Sequence, residues 1–227
     1  MSIFVDVGYI SFKRAMATTK DQLLERLINS GAVLCFDSNY NMRMAKYPWY
    51  KANRGNNLPP VTQALKKIAK AWQAKIKVRY ADHCIERHGL EGDDIIAMAI
   101  KGCPTAYVMT EDHDMLQLDC AYLVNQHMEP WSCGRLKQKT LFLLQGERYL
   151  TYQLLHGCNT DTVPRTIFSR DRYTAPWVFA QPSPLRAALM LLPEELARQS
   201  LNVLLLPTPL YEGRDPIECA LERYPEP

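Results

Sequence analysis

The segment Ala32-Val-Leu-Cys-Phe-Asp37 is a short apolar run that ends on an acidic residue. A run of this length and composition is typical of a strand that is buried on both faces of a sheet. Two further segments have the same form: Ser2-Ile-Phe-Val-Asp-Val7 carries Asp6, and residues 105–110 are followed directly by Glu-Asp-His-Asp. We therefore predict three buried strands, each with an acid near or just beyond its end.

Helical patterns separate these runs. Apolar spacing predicts a helix over 12–29, another that begins at Pro59-Pro60, and a third over 92–101, whereas residues 76–80 are interpreted as a strand. Strands that alternate with helices favour an α/β fold with a mostly parallel central sheet flanked by helices.

The last part of the chain has a different character. Ten of the fifteen prolines lie between Pro164 and Pro227, and the alternation of strands and helices fades there. We expect a core domain over 1–165. A small, irregular C-terminal part over 166–227 is expected to pack on it, with helices near 184–191 and 193–200.

Composition excludes several classes of protein. With 47% hydrophobic and 22% charged residues, the 227-residue chain resembles a folded globular protein rather than a disordered one. No apolar run reaches the roughly 18 residues of a membrane span, so we expect no membrane partner. The seven cysteines are odd in number and form no CxxC pair, which favours a reducing, cytoplasmic compartment.

Charge is distributed unevenly along the chain. Residues 38–81 contain ten Lys or Arg and no Asp or Glu; because the whole chain carries +3, the remainder carries −7. Lys66, Lys67 and Lys70 lie on the helix predicted after Pro60. A basic block beside an acidic remainder favours a polyanionic partner, although a solvated basic helix face would have the same composition.

The acids are expected at one edge of the sheet, because ligands of open α/β sheets bind where the carboxyl ends of parallel strands meet. Carboxylates that lie close together repel one another, and a hard divalent cation such as Mg²⁺ relieves that repulsion. Any single acid at a strand end or helix start is more commonly a cap or turn residue. Together they favour a metal site, and two ions about 4 Å apart with a nearby Lys or Arg suit phosphodiester cleavage. The acids concerned are Asp6, Asp37, Asp112, Asp114 and, at a helix start, Glu91, Asp93 and Asp94.

Five ordered segments resemble motifs of the 5′-nuclease family. That family includes flap endonucleases, bacteriophage 5′–3′ exonucleases and the 5′-nuclease domain of bacterial DNA polymerase I. The segments cover residues 2–165 well and the rest of the chain thinly. They are Phe36-Asp-Ser-Asn-Tyr-Asn-Met-Arg-Met-Ala-Lys-Tyr-Pro-Trp-Tyr-Lys-Ala-Asn-Arg54, Gly89-Leu-Glu-Gly-Asp-Asp-Ile-Ile-Ala97, Val108-Met-Thr-Glu-Asp-His-Asp-Met-Leu-Gln-Leu118, Leu155-His-Gly-Cys-Asn-Thr-Asp-Thr-Val-Pro164 and Leu201-Asn-Val-Leu-Leu-Leu-Pro207.

The resemblance implies a PIN-like 5′-nuclease core and a role for each matching residue. Lys51 and Arg54 match the basic pair that contacts the scissile phosphate, and Arg43 and Tyr50 match positions near that phosphate and the adjoining base. Asp114 and Asp161 would serve a second metal. The first metal would be surrounded by Asp6, Asp37, Glu91, Asp93, Asp94 and Asp112, of which Asp37 and Asp112 are also expected to be catalytic.

Two departures from the family pattern change the expectation. Cys158 stands where the family has an aspartate, and because soft sulfur is a poor Mg²⁺ ligand, the second metal is expected to bind weakly. Residues 163–173 contain no glycine, so no clear glycine-rich helix–hairpin–helix is expected to grip duplex DNA. Glu111 is the acid expected to compensate in part for Cys158.

The predicted function is that of a Mg²⁺- or Mn²⁺-dependent 5′–3′ exonuclease or flap endonuclease acting on DNA or RNA-primed DNA during replication. Its expected partners are DNA with 5′ ends or flaps, RNA–DNA hybrids and replication proteins, in a bacterial host cell if the chain is of phage origin. Two alternatives stay open: a PIN-type ribonuclease acting on single strands, and a nucleic-acid-binding protein with weak or no catalysis.

Overall fold

The structure, a computed structural model, describes most of the chain. Its described residues are 2–16, 21–54, 58–101, 103, 105–118, 122–129, 145–159, 161–166 and 174–225. Within them the strands are β1 (Ile3–Asp6), β2 (Val33–Phe36), β3 (Cys84–Glu86), β4 (Tyr107–Met109) and β5 (Tyr122–Val124). The helices there are α1 (Val7–Met16), α2 (Gln22–Asn29), α3 (Met42–Lys46), α4 (Pro60–Arg79), α5 (Gly92–Ile100), α6 (Glu147–His156), α7 (Thr174–Ala180), α8 (Pro184–Leu191), α9 (Glu194–Leu204) and α10 (Pro216–Arg223).

These strands form one parallel sheet in the order β3-β2-β1-β4-β5. From β1 the chain steps outward through β2 to β3, then crosses back to β4 on the other side of β1. The strand order therefore reverses between β1 and β4, and in open parallel sheets the crevice beyond such a reversal is where ligands bind. The α/β fold with a parallel sheet and flanking helices that the sequence predicts is confirmed.

Two of the predicted elements differ from those observed. The helix expected over 12–29 is α1, which already begins at Val7, followed by the separate α2, with residues 17–20 outside the described part. The strand expected over 76–80 is wrong, because those residues belong to the end of α4 and to Tyr80 just after it. Ala69, Trp72 and Ile76 keep a helical spacing of three and four, so the apolar face of the helix continues through the supposed strand.

The chain divides into two compact units. The sheet unit comprises Met1–Asn41, Asn57–Met115 and Cys120–Lys137. Its core packs residues of β1, β2 and β4 against α1, α2 and α4, and includes Val5, Leu34 and Met109, all with no exposed surface. Burying both faces of the inner strands explains why they read as continuous apolar runs in the sequence.

The helical unit comprises Met42–Asn56, Leu116–Asp119 and Gln138–Pro227. Its core is formed by α6, α8, α9 and α10 around Leu150, Leu154 and Leu201. The helices predicted near 184–191 and 193–200 are confirmed as α8 and α9. The division at residue 165 that the sequence suggests stays a prediction. In the part of the chain that the structure describes, every helix is too short or too polar to cross a membrane.

Gly157 ends α6 in a conformation that excludes side chains. Its φ is +72°, and a Cβ there would lie 2.5 Å from the Val163 carbonyl oxygen and 2.8 Å from the Arg165 nitrogen. We expect Gly157→Ala to lower the free energy of unfolding by about 2 kcal/mol or more, because both contacts are with backbone that must move.

Gly213→Ala is the matched control for this measurement by denaturant unfolding. Gly213 also has a positive φ, +64°, but nothing lies within 4 Å of the place that a methyl group would take there. Its cost should be only the conformational one, about 1 kcal/mol. Equal losses for the two variants would show that the backbone contact at Gly157 has no energetic weight.

Candidate active site

Three of the predicted acids lie at neighbouring strand ends in the sheet unit. Asp6 is the last residue of β1, Asp37 follows β2, and Asp112 comes shortly after β4. Because β1 lies between β2 and β4, these carboxylates meet at the carboxyl edge of the sheet, beside the reversal of strand order. The structure thus brings together the acids that the sequence pattern placed at strand ends.

Thr110 links two of these acids. Its hydroxyl, fully buried, donates to Asp6 Oδ2 at 3.0 Å and accepts from the Asp112 backbone N–H at 3.0 Å. The Tyr9 backbone N–H donates to the other oxygen of Asp6 at 3.1 Å. Thr110 is not among the site residues predicted from the sequence. The available signal was a hydroxyl residue between a buried strand and an acid.

Two glycines allow the backbone to approach the carboxylates closely. A Cβ at Gly8 would lie 3.1 Å from Asp6 Oδ1 and 3.8 Å from Asp37 Oδ2, which shows how near these two acids are. The backbone N–H of Gly92, the first residue of α5, donates to Asp37 Oδ1 at 2.8 Å. The positive end of the α5 dipole therefore faces Asp37.

A second acidic group surrounds the start of α5. Glu91, Asp93 and Asp94 each offer a carboxylate oxygen, and these oxygens all lie within 4.8 Å of one another. Glu91 and Asp94 are buried, and the Glu91 backbone N–H donates to Asp94 Oδ2 at 3.1 Å. The sequence resemblance places these three acids around the first metal together with the strand-end acids, and that role stays a prediction.

Crowding changes the acidity of Asp6. Burial, with smaller contributions from the negative charges of Asp37 and Asp112, raises the pKa of Asp6 from 3.8 to about 7. Hydrogen bonds from Tyr9 and Thr110 act in the opposite direction and only partly offset the increase. Ionising Asp6 therefore costs free energy in the folded state, and a nearby cation would offset that cost.

The donor set at this edge fits a hard divalent cation. Carboxylate oxygens from separate segments converge there, and such ligands suit Mg²⁺ and Mn²⁺. Asp114 extends the group, since its backbone N–H donates to Asp112 Oδ1 at 3.0 Å. Glu111 forms an ion pair with Lys13 at 3.1 Å, and its expected compensation for Cys158 stays a prediction.

Removing the charge of Asp6 should stabilise the metal-free protein. A pKa raised in the folded state means that Asp6 destabilises the fold progressively as pH rises from about 4 to about 7, and fully above that. We expect Asp6→Asn to raise the free energy of unfolding by about 2 kcal/mol near pH 8 in EDTA, with the gain shrinking toward pH 5. Denaturant unfolding at the two pH values tests this, with the exposed Asp82→Asn as control. A pH-independent change would contradict it.

The predicted phosphate-binding pair lies in the helical unit and is held by Asp161. Arg54 Nη2 lies 2.9 Å and Lys51 Nζ 3.9 Å from Asp161 Oδ1, and the Lys51 backbone N–H donates to the Asp161 carbonyl oxygen at 3.2 Å. Asp161 is only 2% exposed. Cys158 Sγ donates to its other oxygen, Oδ2, at 3.5 Å. Here Asp161, expected as a ligand of the second metal, is an ion-pair partner of Lys51 and Arg54.

The other residues predicted to bind nucleic acid have contrasting environments. Arg43 is 1% exposed and donates from Nη2 to the Leu205 carbonyl oxygen at 3.4 Å, and Tyr50 is buried with Lys51 Nζ 4.8 Å from its ring centre. Both are therefore interior residues of the helical unit. Lys66, Lys67 and Lys70, by contrast, are exposed on α4. Their roles in binding nucleic acid stay predictions.

Solved structures with the same fold include proteins from bacteriophage T5. The T5 flap endonuclease, in a complex with DNA and metal ions, is 14% identical over 97% of this chain and 96% of its own, with a TM-score of 0.70. The T5 5′-exonuclease with bound zinc ions is 14% identical over 98% of this chain and 97% of its own, with a TM-score of 0.65. At this level of identity the likeness establishes the shared fold. No curated protein sequence matches the chain.

A family model identifies the chain more directly. The model of the 5′-3′ exonuclease, N-terminal resolvase-like domain matches residues 10–140, more than half of the sequence. The matched region includes the strand-end acids Asp37 and Asp112, the start of α5, and the basic pair Lys51 and Arg54. The resemblance to 5′-nucleases that the sequence motifs indicated is thereby confirmed. The chain belongs to the 5′–3′ exonuclease family.

Proposed function

We propose that this protein is a divalent-metal-dependent 5′–3′ exonuclease or flap endonuclease that hydrolyses phosphodiester bonds of DNA or RNA-primed DNA during replication. The observation that carries the proposal is the crowding of Asp6, Asp37 and Asp112 at the reversal of strand order. Three carboxylates at such a position repel one another, and the raised pKa of Asp6 expresses that cost.

Metal binding would explain why so many carboxylates lie close together at this edge of the sheet. Asp6, Asp37, Asp112 and the group of Glu91, Asp93 and Asp94 would hold one Mg²⁺ or Mn²⁺, and Asp114 and Asp161 would serve a weaker second one. When bound, such an ion supplies Lewis acidity, which polarises a phosphodiester and makes water a better nucleophile near neutral pH. Thr110 holds the Asp6 carboxylate through its hydroxyl and fixes the backbone of Asp112 by accepting its N–H, so the segment that carries each ligand would be in place without the ion.

The basic residues are the proposed contacts to the phosphates of the substrate. Lys51 and Arg54 would contact the scissile phosphate and neutralise the charge that develops on it, with Asp161 keeping both cations oriented. Lys66, Lys67 and Lys70 on α4 would contact phosphates without reading sequence. The T5 flap endonuclease of the same fold has been seen with DNA and metal ions, which supports a nucleic-acid substrate. DNA with 5′ ends or flaps, RNA–DNA hybrids and replication proteins are the partners that fit, within the cytoplasm of a bacterial host if the chain comes from a phage.

A cleavage assay tests this function. End-labelled 5′-flap, nicked and RNA-primed duplexes are incubated with Mg²⁺, Mn²⁺ or EDTA, and product lengths report polarity and preferred substrate together. We expect cleavage from the 5′ side that requires the divalent ion. Cleavage that persists in EDTA, or proceeds from the 3′ end, would refute the proposal.

A second candidate is a PIN-type ribonuclease for single strands. The absence of glycine from residues 163–173 favours it, because that segment then lacks the residue type best suited to a tight grip on duplex phosphates. Faster cleavage of unstructured RNA than of any duplex would select this candidate. Tight nucleic-acid binding without cleavage of any substrate would instead indicate a binding protein, the alternative that Cys158 suggests.

A further inference from the structure

A cavity of about 270 Å³ lies in the helical unit. Trp49 is half-buried in its wall, Ser200 is buried and Pro164 is exposed, so the cavity reaches from the core to the surface. The lining is mainly apolar, with hydroxyl and amide groups at a few points. Its residues are Trp49, Thr162, Pro164, Leu196, Gln199 and Ser200.

The cavity adjoins the basic pair. Trp49 and Thr162, which line the cavity, come from two chain segments, 49–54 and 159–164. The first segment also carries Lys51 and Arg54, and the second carries Asp161. These segments are joined by hydrogen bonds: besides the contact from Lys51 to Asp161, the Asn53 side chain donates to the Asn159 carbonyl oxygen at 2.6 Å. The Thr162 hydroxyl donates to Asn53 Oδ1 at 3.2 Å.

The backbone at this place is unusual. Among the described residues other than glycine, positive φ angles occur at Lys51 (55°), Met128 (59°) and Thr162 (63°). Of these three residues, Thr162 lines the cavity and Lys51 belongs to the basic pair. Residues held in this sparsely populated region occur preferentially at ligand sites, because the surrounding structure must maintain them there.

We infer that this cavity binds an unpaired nucleobase of the strand whose phosphate is contacted by Lys51 and Arg54. A nucleotide combines a flat, largely apolar ring with an adjacent anion, and the cavity beside two cations matches both parts. An indole in the wall stacks on any base, and the few polar groups make the site tolerant of base identity. The inference rests on the proposed function, and it assigns a binding site for a base to the cavity lined by Trp49.

Binding of probes that lack single bases tests the inference. A duplex with a short 5′-phosphorylated overhang carries a fluorophore at its far end, and a series of probes replaces one overhang nucleotide at a time by an abasic residue. Anisotropy titrations use Ca²⁺ in place of Mg²⁺ to prevent turnover. We expect one abasic position to weaken binding to the wild-type protein by about tenfold.

The variants assign that loss to the cavity. Trp49→Ala should weaken binding of the intact probe by about tenfold and abolish the further loss at that abasic position, because the two changes remove the same contact. Trp49→Phe, which keeps a ring in the wall, should retain most of the base dependence if the alanine variant is poorly folded. Trp177→Ala removes an indole that is 50% exposed on α7 and should behave like the wild type.

Two outcomes overturn the inference. One is that every abasic probe binds wild type within about twofold of the intact probe, as expected if the cavity receives a protein side chain instead. The other is that Trp49→Ala keeps the full abasic penalty. Normal cleavage without any abasic effect refutes the cavity alone, whereas a persistent abasic effect without metal-dependent cleavage refutes only the proposed nuclease. Failure to bind any probe refutes both.

Discussion

Replacing Asp112 by Asn is expected to lower Mg²⁺-dependent cleavage by about 10³-fold or more, because a bound metal contributes several kcal/mol of stabilisation to a phosphodiester transition state. Asn can still accept the Asp114 backbone N–H through its oxygen, so the turn after β4 should persist. The loss would then come from the missing negative charge at the carboxyl edge of the sheet. Single-turnover rates on a 5′-flap duplex measure it directly.

The control for Asp112 is an acid outside the carboxyl edge. Glu25 lies in α2 and pairs with Arg79 at 3.5 Å, with about half of its side chain exposed. Glu25→Gln should leave the cleavage rate within about threefold of wild type, because exposed ion pairs contribute little. If Asp112→Asn cleaves as fast as this control, the assignment of the strand-end acids to a metal site is wrong.

Replacing Asp161 by Asn is expected to impair both stability and cleavage. Asp161 is a buried carboxylate whose cationic partners, Lys51 and Arg54, lose their counter-charge in the variant. We expect a loss of about 2 kcal/mol in the free energy of unfolding, since the variant removes a charge-assisted hydrogen bond from Arg54, whose own side chain is 47% exposed and stays hydrated. Cleavage should fall by about 10²-fold, because the two cations are no longer oriented toward phosphate.

A Mg²⁺ titration separates the two roles that Asp161 could have. A residue that only orients Lys51 and Arg54 leaves the Mg²⁺ concentration for half-maximal rate unchanged, whereas a ligand of the second metal raises it. Glu222→Gln breaks the exposed pair with Arg214 in the same unit and should cost less than about 1 kcal/mol. Equal stability of these two variants would show that the burial of Asp161 carries no energetic consequence.

The sequence predicted which acids follow the strand ends better than it predicted the helices and short strands. Asp37 and Asp112 could be placed because buried parallel strands appear as uninterrupted apolar runs, which mark where each strand ends. β3 has no such signal, since two of its three residues are exposed. The strand prediction over 76–80 fails because Ile76 and Val78 favour strands locally, while the packing of α4 on the sheet unit determines the outcome.

Burial of the basic residues could not be read from the sequence at all. Arg43 lies in a segment without acids and looks like a surface cation, yet it is buried and donates to the carbonyl of Leu205, more than 160 positions later. The burial of Tyr50 is likewise not visible in the local sequence, because Tyr50 packs with helices from the end of the chain. Contacts between segments that are distant in the sequence depend on tertiary packing, which local sequence patterns do not predict.

The crowded carboxylates at the carboxyl edge also have a consequence for the lifetime of the protein in the cell. Because the metal-free fold carries the cost of ionising Asp6, any cation that binds there stabilises the native chain by mass action. Proteases act mainly on the unfolded fraction, so under the proposed function the supply of the divalent ion would affect the degradation of the protein as well as its cleavage rate. Depletion of that ion would then speed degradation of the chain at the same time as it stopped the proposed reaction.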